Sequence, residues 1–130
     1  MVGQALRRLD FGEGYDLVFI NGRSECDLSD KKQVELMFES HQPDTVIHLA
    51  ARVGGILDNV KYPYDYIQEN VSMNMNVLDA CRQYQVSRMI AMLSTCIYPD
   101  VVQSHQYPML ESHIHQGPPT STNFSYAYSK

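Results

Sequence analysis

Ser94, Cys96, Tyr126 and Lys130 have the residue types and spacing for moving protons next to a carbonyl. Ser94 and Cys96 lie in "MLSTCIYPD", where an apolar run gives way to hydroxyls and a thiol. Open α/β sheets bind ligands beyond the carboxyl ends of their strands, so such an edge is a place for chemistry. A serine hydroxyl there can polarise a carbonyl by hydrogen bonding. A cysteine can exchange a proton with a carbon acid when a neighbour favours its thiolate. A single cysteine at a strand end can equally be a small buried hydrophobe. Tyr126 and Lys130 are i and i+4 in "FSYAYSK", one face of a helix. A lysine charge beside a tyrosine favours tyrosinate, which suits a proton donor to a developing alkoxide. A Tyr-x-x-x-Lys pair alone is a common coincidence, and Ser94 upstream at a strand end turns it into a Ser, Tyr, Lys set.

A second group of residues suits a dinucleotide. After the apolar run "DLVFIN" an Asp or Glu would accept hydrogen bonds from an adenosine ribose 2′-hydroxyl and repel a 2′-phosphate. The sequence has Asn21, Gly22 and Arg23 there instead. Arg23 can make a forked, charge-assisted contact to phosphate oxygens, which points to NADP(H); the alternative is a solvated loop arginine. In "HLAARVGG", Leu49, Ala50 and Ala51 lead into glycines. Small side chains let the backbone approach a planar or pyrophosphate ligand, and a tight strand-to-helix turn would use the same residues. His48, in mid-strand, reads as an interior histidine. His113 and His115 lack a third ligand, so no metal is expected.

These residues need elements to position them. Asp16–Asn21, Thr45–Ala50 and, more weakly, Arg88–Thr95 read as buried parallel strands. Between the first two, Asp30 and Gln33 have capping spacing, Val34, Met37 and Phe38 share a helical face, and Pro43 follows the end. Between the second and third, Ile67, Val71, Met75, Leu78 and Cys81 recur at steps of four, four, three and three in a long helix starting near Tyr64. The fold class is therefore α/β, a Rossmann-type doubly wound parallel sheet. It reads as incomplete: Gly3–Leu9 resembles the first helix of such a domain, with only Met1 and Val2 ahead of it. In the strand order 3-2-1-4 a missing first strand would leave its neighbours about 10 Å apart, two strand spacings, and the chain is expected to fold poorly alone.

Composition bounds the rest. With 130 residues and 44% apolar content, one soluble domain is the expectation. No apolar run approaches the roughly 18 residues of a membrane span, and the amino-terminal stretch lacks the apolar core of a secretory signal, so the cytoplasm is the expected compartment. Cys26, Cys81 and Cys96 form no CxxC pair and read as free thiols, Cys26 and Cys81 with structural roles. A net charge of −5 without basic clusters offers nucleic acid little to hold.

Taken together, "HLAARVGGI", "YPYDYIQEN", "LSTCIYPD", "YPMLES" and "YAYSK" resemble the extended short-chain dehydrogenase/reductase superfamily, and within it more closely the GDP-L-fucose synthase family. The resemblance implies Ser94, Tyr126 and Lys130 as the reductase set and Cys96 as the acid/base residue of epimerisation. It also implies an NADP site lined by Arg23 to Leu28, including Asp27, and by Met92, Leu93, Ser94 and Thr95. The implied reaction is NADPH-dependent epimerisation at C3 and C5 and reduction at C4 of a GDP-4-keto-6-deoxy-sugar. Gly3 would be the last glycine of a G-x-x-G-x-x-G turn, and Met1 an internal methionine of a longer protein. A second acid/base histidine and a carboxyl-terminal domain for the GDP-sugar would lie beyond residue 130. Residues 1–130 would thus be a partial NADP-binding domain, inactive alone, from a homodimeric enzyme. The alternatives are another nucleotide-sugar epimerase or reductase of the superfamily, or a truncated non-catalytic binding or dimerisation module.

Overall fold

A computed structural model describes residues 2–130. Met1, read above as an internal methionine, lies outside them. In chain order the elements are α1 (Val2–Leu6), α2 (Lys31–His41), β1 (Thr45–His48), α3 (Ile56–Lys61), α4 (Pro63–Gln83), β2 (Arg88–Ala91), α5 (Asp100–His105) and α6 (Phe124–Tyr128). Short 3-10 turns lie at Thr95–Ile97, Glu111–Gln116 and Ser121–Asn123. The chain divides into two compact units, the described part of Met1–Ala50 with Asn76–Met92, and Ala51–Met75 with Leu93–Lys130.

In the first unit β1 and β2 pair in parallel, from Thr45 opposite Arg88 to His48 opposite Ala91. Parallel neighbours require a long crossover, and α3 and α4 lie in the connection. The ladder is extended by the Met92 amide, which donates to the His48 carbonyl at 3.0 Å. Asp30 caps α2: its Oδ1 accepts from the amides of Lys32 at 2.9 Å and Gln33 at 3.4 Å. Gln33 does not complete a reciprocal box, because its Oε1 accepts from the amide of Asp27 at 2.9 Å instead. The helix ends at Gln42 in the left-handed region, φ 43°, one residue before Pro43. Val34 and Phe38 on its inner face meet Cys26, Val77, Ala80 and Cys81 in a buried cluster, with Met37, Val46, Tyr84 and Met89 packed around it. Burial pushes the thiols of Cys26 and Cys81 up, so both are held as neutral thiols.

Three expectations change. Asp16–Asn21 forms no strand and joins no ladder, and Leu17, Val18 and Ile20 are exposed. A strand exists only with a partner, and this segment is held at its side chains instead: Arg7 stacks on Phe19 at 4.7 Å and donates to the Asn21 side chain. The two remaining strands pair with each other directly, and their ladder ends at His48 and Ala91, short of Ala50 and Thr95. In α4 the buried stripe is Tyr66, Asn70, Met73, Val77 and Ala80, whereas Ile67, Val71, Met75 and Leu78 are 37 to 52% exposed. Both stripes have helical spacing, one residue or about 100° apart, and only Cys81 of the expected five is buried.

In the second unit, α6 packs against the Thr95–Ile97 turn, against α3 and against the Ser121–Asn123 turn. Val102 of α5 and Ala127 of α6 are buried, and Pro99 bridges to Pro119 in antiparallel fashion.

Candidate active site

The second unit contains all four proton-transfer candidates. Ser94, in extended conformation (φ −143°, ψ 148°), caps the Thr95–Ile97 turn by accepting from the Cys96 amide at 3.2 Å. That bond uses a lone pair of Oγ and leaves the O–H to donate, as polarising a carbonyl requires. Cys96 thus sits on a turn that Ser94 fixes and α6 covers. From the start of α6, Asn123 donates its side-chain amide to Cys96 Sγ at 3.7 Å.

Tyr126, half-buried on α6, meets the ring of Tyr66 edge-on, with centroids 6.3 Å apart and planes at 89°. Tyr66 is fully buried and donates its hydroxyl to Asp58 Oδ2 at 2.5 Å. Burial, and then the Asp58 hydrogen bond, push its phenol up, so it stays neutral. The Arg52 guanidinium stands over the same ring at 5.0 Å and pairs with Glu69 at 2.5 Å and Asp65 at 3.5 Å. Asn70, buried on α4, clamps the Arg52 backbone: its Oδ1 accepts from the Arg52 amide at 2.7 Å and its Nδ2 donates to the carbonyl at 3.1 Å. Asn59 donates to the carbonyls of Gly54 and Gly55 at 3.2 and 3.1 Å. The loop after Ala51 is therefore built into the wall behind Tyr126.

Lys130 follows the helix that carries Tyr126. The helix α6 ends at Tyr128; the Ser129 amide is shared between the carbonyls of Ser125 at 3.2 Å and Tyr126 at 3.1 Å, and the Lys130 amide bonds to Ala127 at 3.1 Å. Ser129 Oγ also donates to the Tyr126 carbonyl at 2.6 Å, while Asn74 Nδ2 donates to the Ser129 carbonyl at 2.7 Å. These partners tighten the last turn. The Lys130 side chain is half-buried, and burial pushes its ammonium down.

In the first unit the expected dinucleotide residues form a separate set. Gly22 takes φ +89°, and its carbonyl receives the amides of Glu25 and Cys26 at 3.1 and 3.2 Å, so the turn presenting Arg23 needs a glycine. The Arg23 side chain is 58% exposed, and its Nε lies 3.6 Å from Asp27 Oδ2. Hydrogen bonds from Ser29 hold the Asp27 carboxyl below the usual carboxylate range, with a smaller contribution from Arg23. The Leu28 carbonyl accepts from Asn76 at 2.9 Å. A guanidinium on an exposed turn fits a phosphate by its donor chemistry. Asn21 is committed elsewhere, donating its amides to Glu25 at 2.6 and 2.9 Å. Gly3 is not crowded: a Cβ there would stand 3.6 Å from Leu49, an ordinary contact. Leu49, Ala50 and Met92 also belong to this unit, whereas Ala51, Leu93 and Thr95 belong to the second.

Reading residue types did not single out Tyr66, Asn70, Asn74 or Asn123. The signal available was polar residues interleaved in an apolar helix, Asn70 and Asn74 four apart, and an Asn just before α6. His113 Nδ1 accepts from the Leu110 amide at 3.2 Å, and among the described residues no group of three potential ligands could hold a metal.

The loop supplies a sharp test. A Cβ on Gly54 would overlap the Tyr66 hydroxyl and lie 2.9 Å from Asp58 Oδ2, whereas one on Gly55 meets nothing within 4 Å. Gly54→Ala is expected to cost about 1–3 kcal/mol by overpacking, with Gly55→Ala within about 0.5 kcal/mol of the parent. Equal urea midpoints for the two variants would refute the packing.

Comparison with known proteins agrees with this geometry. GDP-L-fucose synthase of Dictyostelium discoideum is 45% identical over 107 residues, covering 82% of this chain and 32% of that protein. The GDP-L-fucose synthase of Escherichia coli (strain K12) is 37% identical over 130 residues, covering 100% of this chain and 40% of that protein. Among solved structures, a GDP-L-fucose synthetase from Naegleria fowleri bound to NADP superposes with a TM-score of 0.71 at 38% identity, covering 84% of this chain and 31% of that one. The chain spans 32 to 40% of the length of these curated relatives. The family model described as NAD dependent epimerase/dehydratase family matches residues 1–130, and the chain belongs to that family.

Proposed function

We propose that this chain is the cofactor-binding and proton-transfer part of an NADPH-dependent enzyme that epimerises C3 and C5 and reduces C4 of GDP-4-keto-6-deoxy-D-mannose, giving GDP-L-fucose. The observation that carries this reading is the packing of α6, which bears Tyr126, against the Ser94-capped turn that bears Cys96. The 4-keto group acidifies the flanking carbons. Cys96 as thiolate takes a proton from one of them, leaving an enolate whose oxygen Ser94 can hydrogen-bond. Reprotonation on the opposite face completes the inversion and needs a second acid/base group, which this reading places outside these 130 residues. NADPH, when bound, supplies the hydride for C4. Tyr126 gives its hydroxyl proton to the C4 oxygen, with Lys130 assisting it and holding the cofactor ribose, and Arg23 takes the 2′-phosphate. The name of the Naegleria structure, bound to NADP, supports the choice of cofactor. The exposed stripe Ile67, Val71, Met75 and Leu78 of α4 supports a homodimer, since an apolar helix face of this kind favours burial. Free thiols accord with the cytoplasm.

The test is a chimera in which these residues replace the matching 130 of the Escherichia coli relative. It is expected to oxidise NADPH with the keto sugar, and a folded, NADPH-binding chimera without turnover would sink the reading. In it, Cys96→Ser should lower incorporation of solvent deuterium into the sugar by about 10²-fold or more, with NADPH affinity within about twofold. Unchanged deuterium incorporation would remove Cys96 from its role.

A further inference from the structure

We infer that Asn123 is a positioning residue for Cys96: its side-chain amide donates to the sulfur and orients it. The inference rests on the reading of Cys96 as the acid/base residue. Asn123 is the last residue of the Ser121–Asn123 turn and leads directly into α6, and its side chain makes no capping hydrogen bond to that helix. The side chain is thus free of the helix backbone and presents its N–H₂ to Cys96 Sγ at 3.7 Å. An N–H donor stabilises a thiolate more than a thiol. A second restraint acts on the same residue, since Ser94 Oγ holds the Cys96 amide at 3.2 Å, so backbone and sulfur of Cys96 are each fixed by a different element. Asn123 also opens the helix that carries Tyr126, which ties the position of the sulfur to that of the phenol.

Iodoacetamide alkylation of the chimera tests this without substrate or cofactor, with each cysteine of these 130 residues followed by peptide mass spectrometry. The thiolate displaces iodide, so the rate follows thiolate character and access. Cys26 and Cys81, both buried, report in the same tube whether the fold persists. Asn123→Ala is expected to slow Cys96 by about three- to tenfold, the scale of a hydrogen bond to a charged group. Asn123→Asp should slow it at least as much, because an acceptor-only carboxylate faces the sulfur, even though Asp is an excellent cap. A purely structural Asn123 gives the opposite order, with Asp restoring the parent rate. The inference is overturned if Asn123→Asp reacts at or above the parent rate while Cys26 and Cys81 stay protected. It is equally overturned if all three thiols react alike in the parent, or if both variants lose protection throughout, since the contact is then absent or the residue holds only the fold. A negative result leaves the role of Cys96 standing, because that role is judged by deuterium incorporation in Cys96→Ser.

Discussion

Tyr126→Phe in the chimera is expected to cut turnover of the keto sugar by about 10²–10⁴-fold, the range for removing a general acid, while NADPH affinity changes by less than about threefold. The structure makes this a clean removal. Phenylalanine keeps the ring that meets Tyr66 edge-on at 6.3 Å, so the wall built by Tyr66, Asp58 and Arg52 stays in place. The ring packing of Tyr126 on Tyr66 is one that Phe reproduces. Stopped-flow NADPH oxidation under saturating sugar measures the effect. Turnover within about threefold of the parent would exclude Tyr126 as the proton donor, whatever happened to stability. If Tyr66 holds that ring in place, Tyr126→Ala should also weaken the fold, separating chemistry from packing.

Phe38→Ala is expected to be the most damaging change to the first unit. Phe38 is 2% exposed, belongs to the cluster of Cys26, Val34, Val77, Ala80 and Cys81, and lies against Tyr84 with ring centroids 5.9 Å apart. Removing a buried Phe side chain costs about 3–5 kcal/mol through lost transfer free energy and the cavity left behind. Folded domains hold only about 5–15 kcal/mol in total, so the change consumes much of the margin. Two cluster members are thiols, which gives a direct readout: opening that exposes Cys26 and Cys81 should become about 10²–10⁴-fold more frequent. Alkylation of those two cysteines at the parent rate would show that the cluster does not hold α2. Leu36→Ala on the exposed face of the same helix is the control, expected within about 0.5 kcal/mol.

How legible this was varied with the kind of feature. Asp30 as a cap and Pro43 as a stop were readable because both act within a few residues, and α2 begins and ends beside them. The long helix was readable from its period, yet its buried face was not. Two stripes one residue apart fit the spacing, and the more aliphatic one is exposed. The other is buried because Tyr66 reaches Asp58 and Asn70 clamps the Arg52 backbone, partners that periodicity cannot name. Asp16–Asn21 had a strand's composition but no ladder, since a strand is a property of a pair.

By itself the sequence determined α2 with its cap, the long helix α4, the two strands that pair, and which side chains have the chemistry for proton transfer, because each depends on local geometry or on a side chain's own chemistry. Tertiary structure alone decided that α6 lies on the Ser94-capped turn, that Asn123 reaches Cys96 and that Tyr66 backs Tyr126. Each of these depends on which distant residues arrive as neighbours: spacing along a chain sets what can share a face, and only packing sets what that face meets.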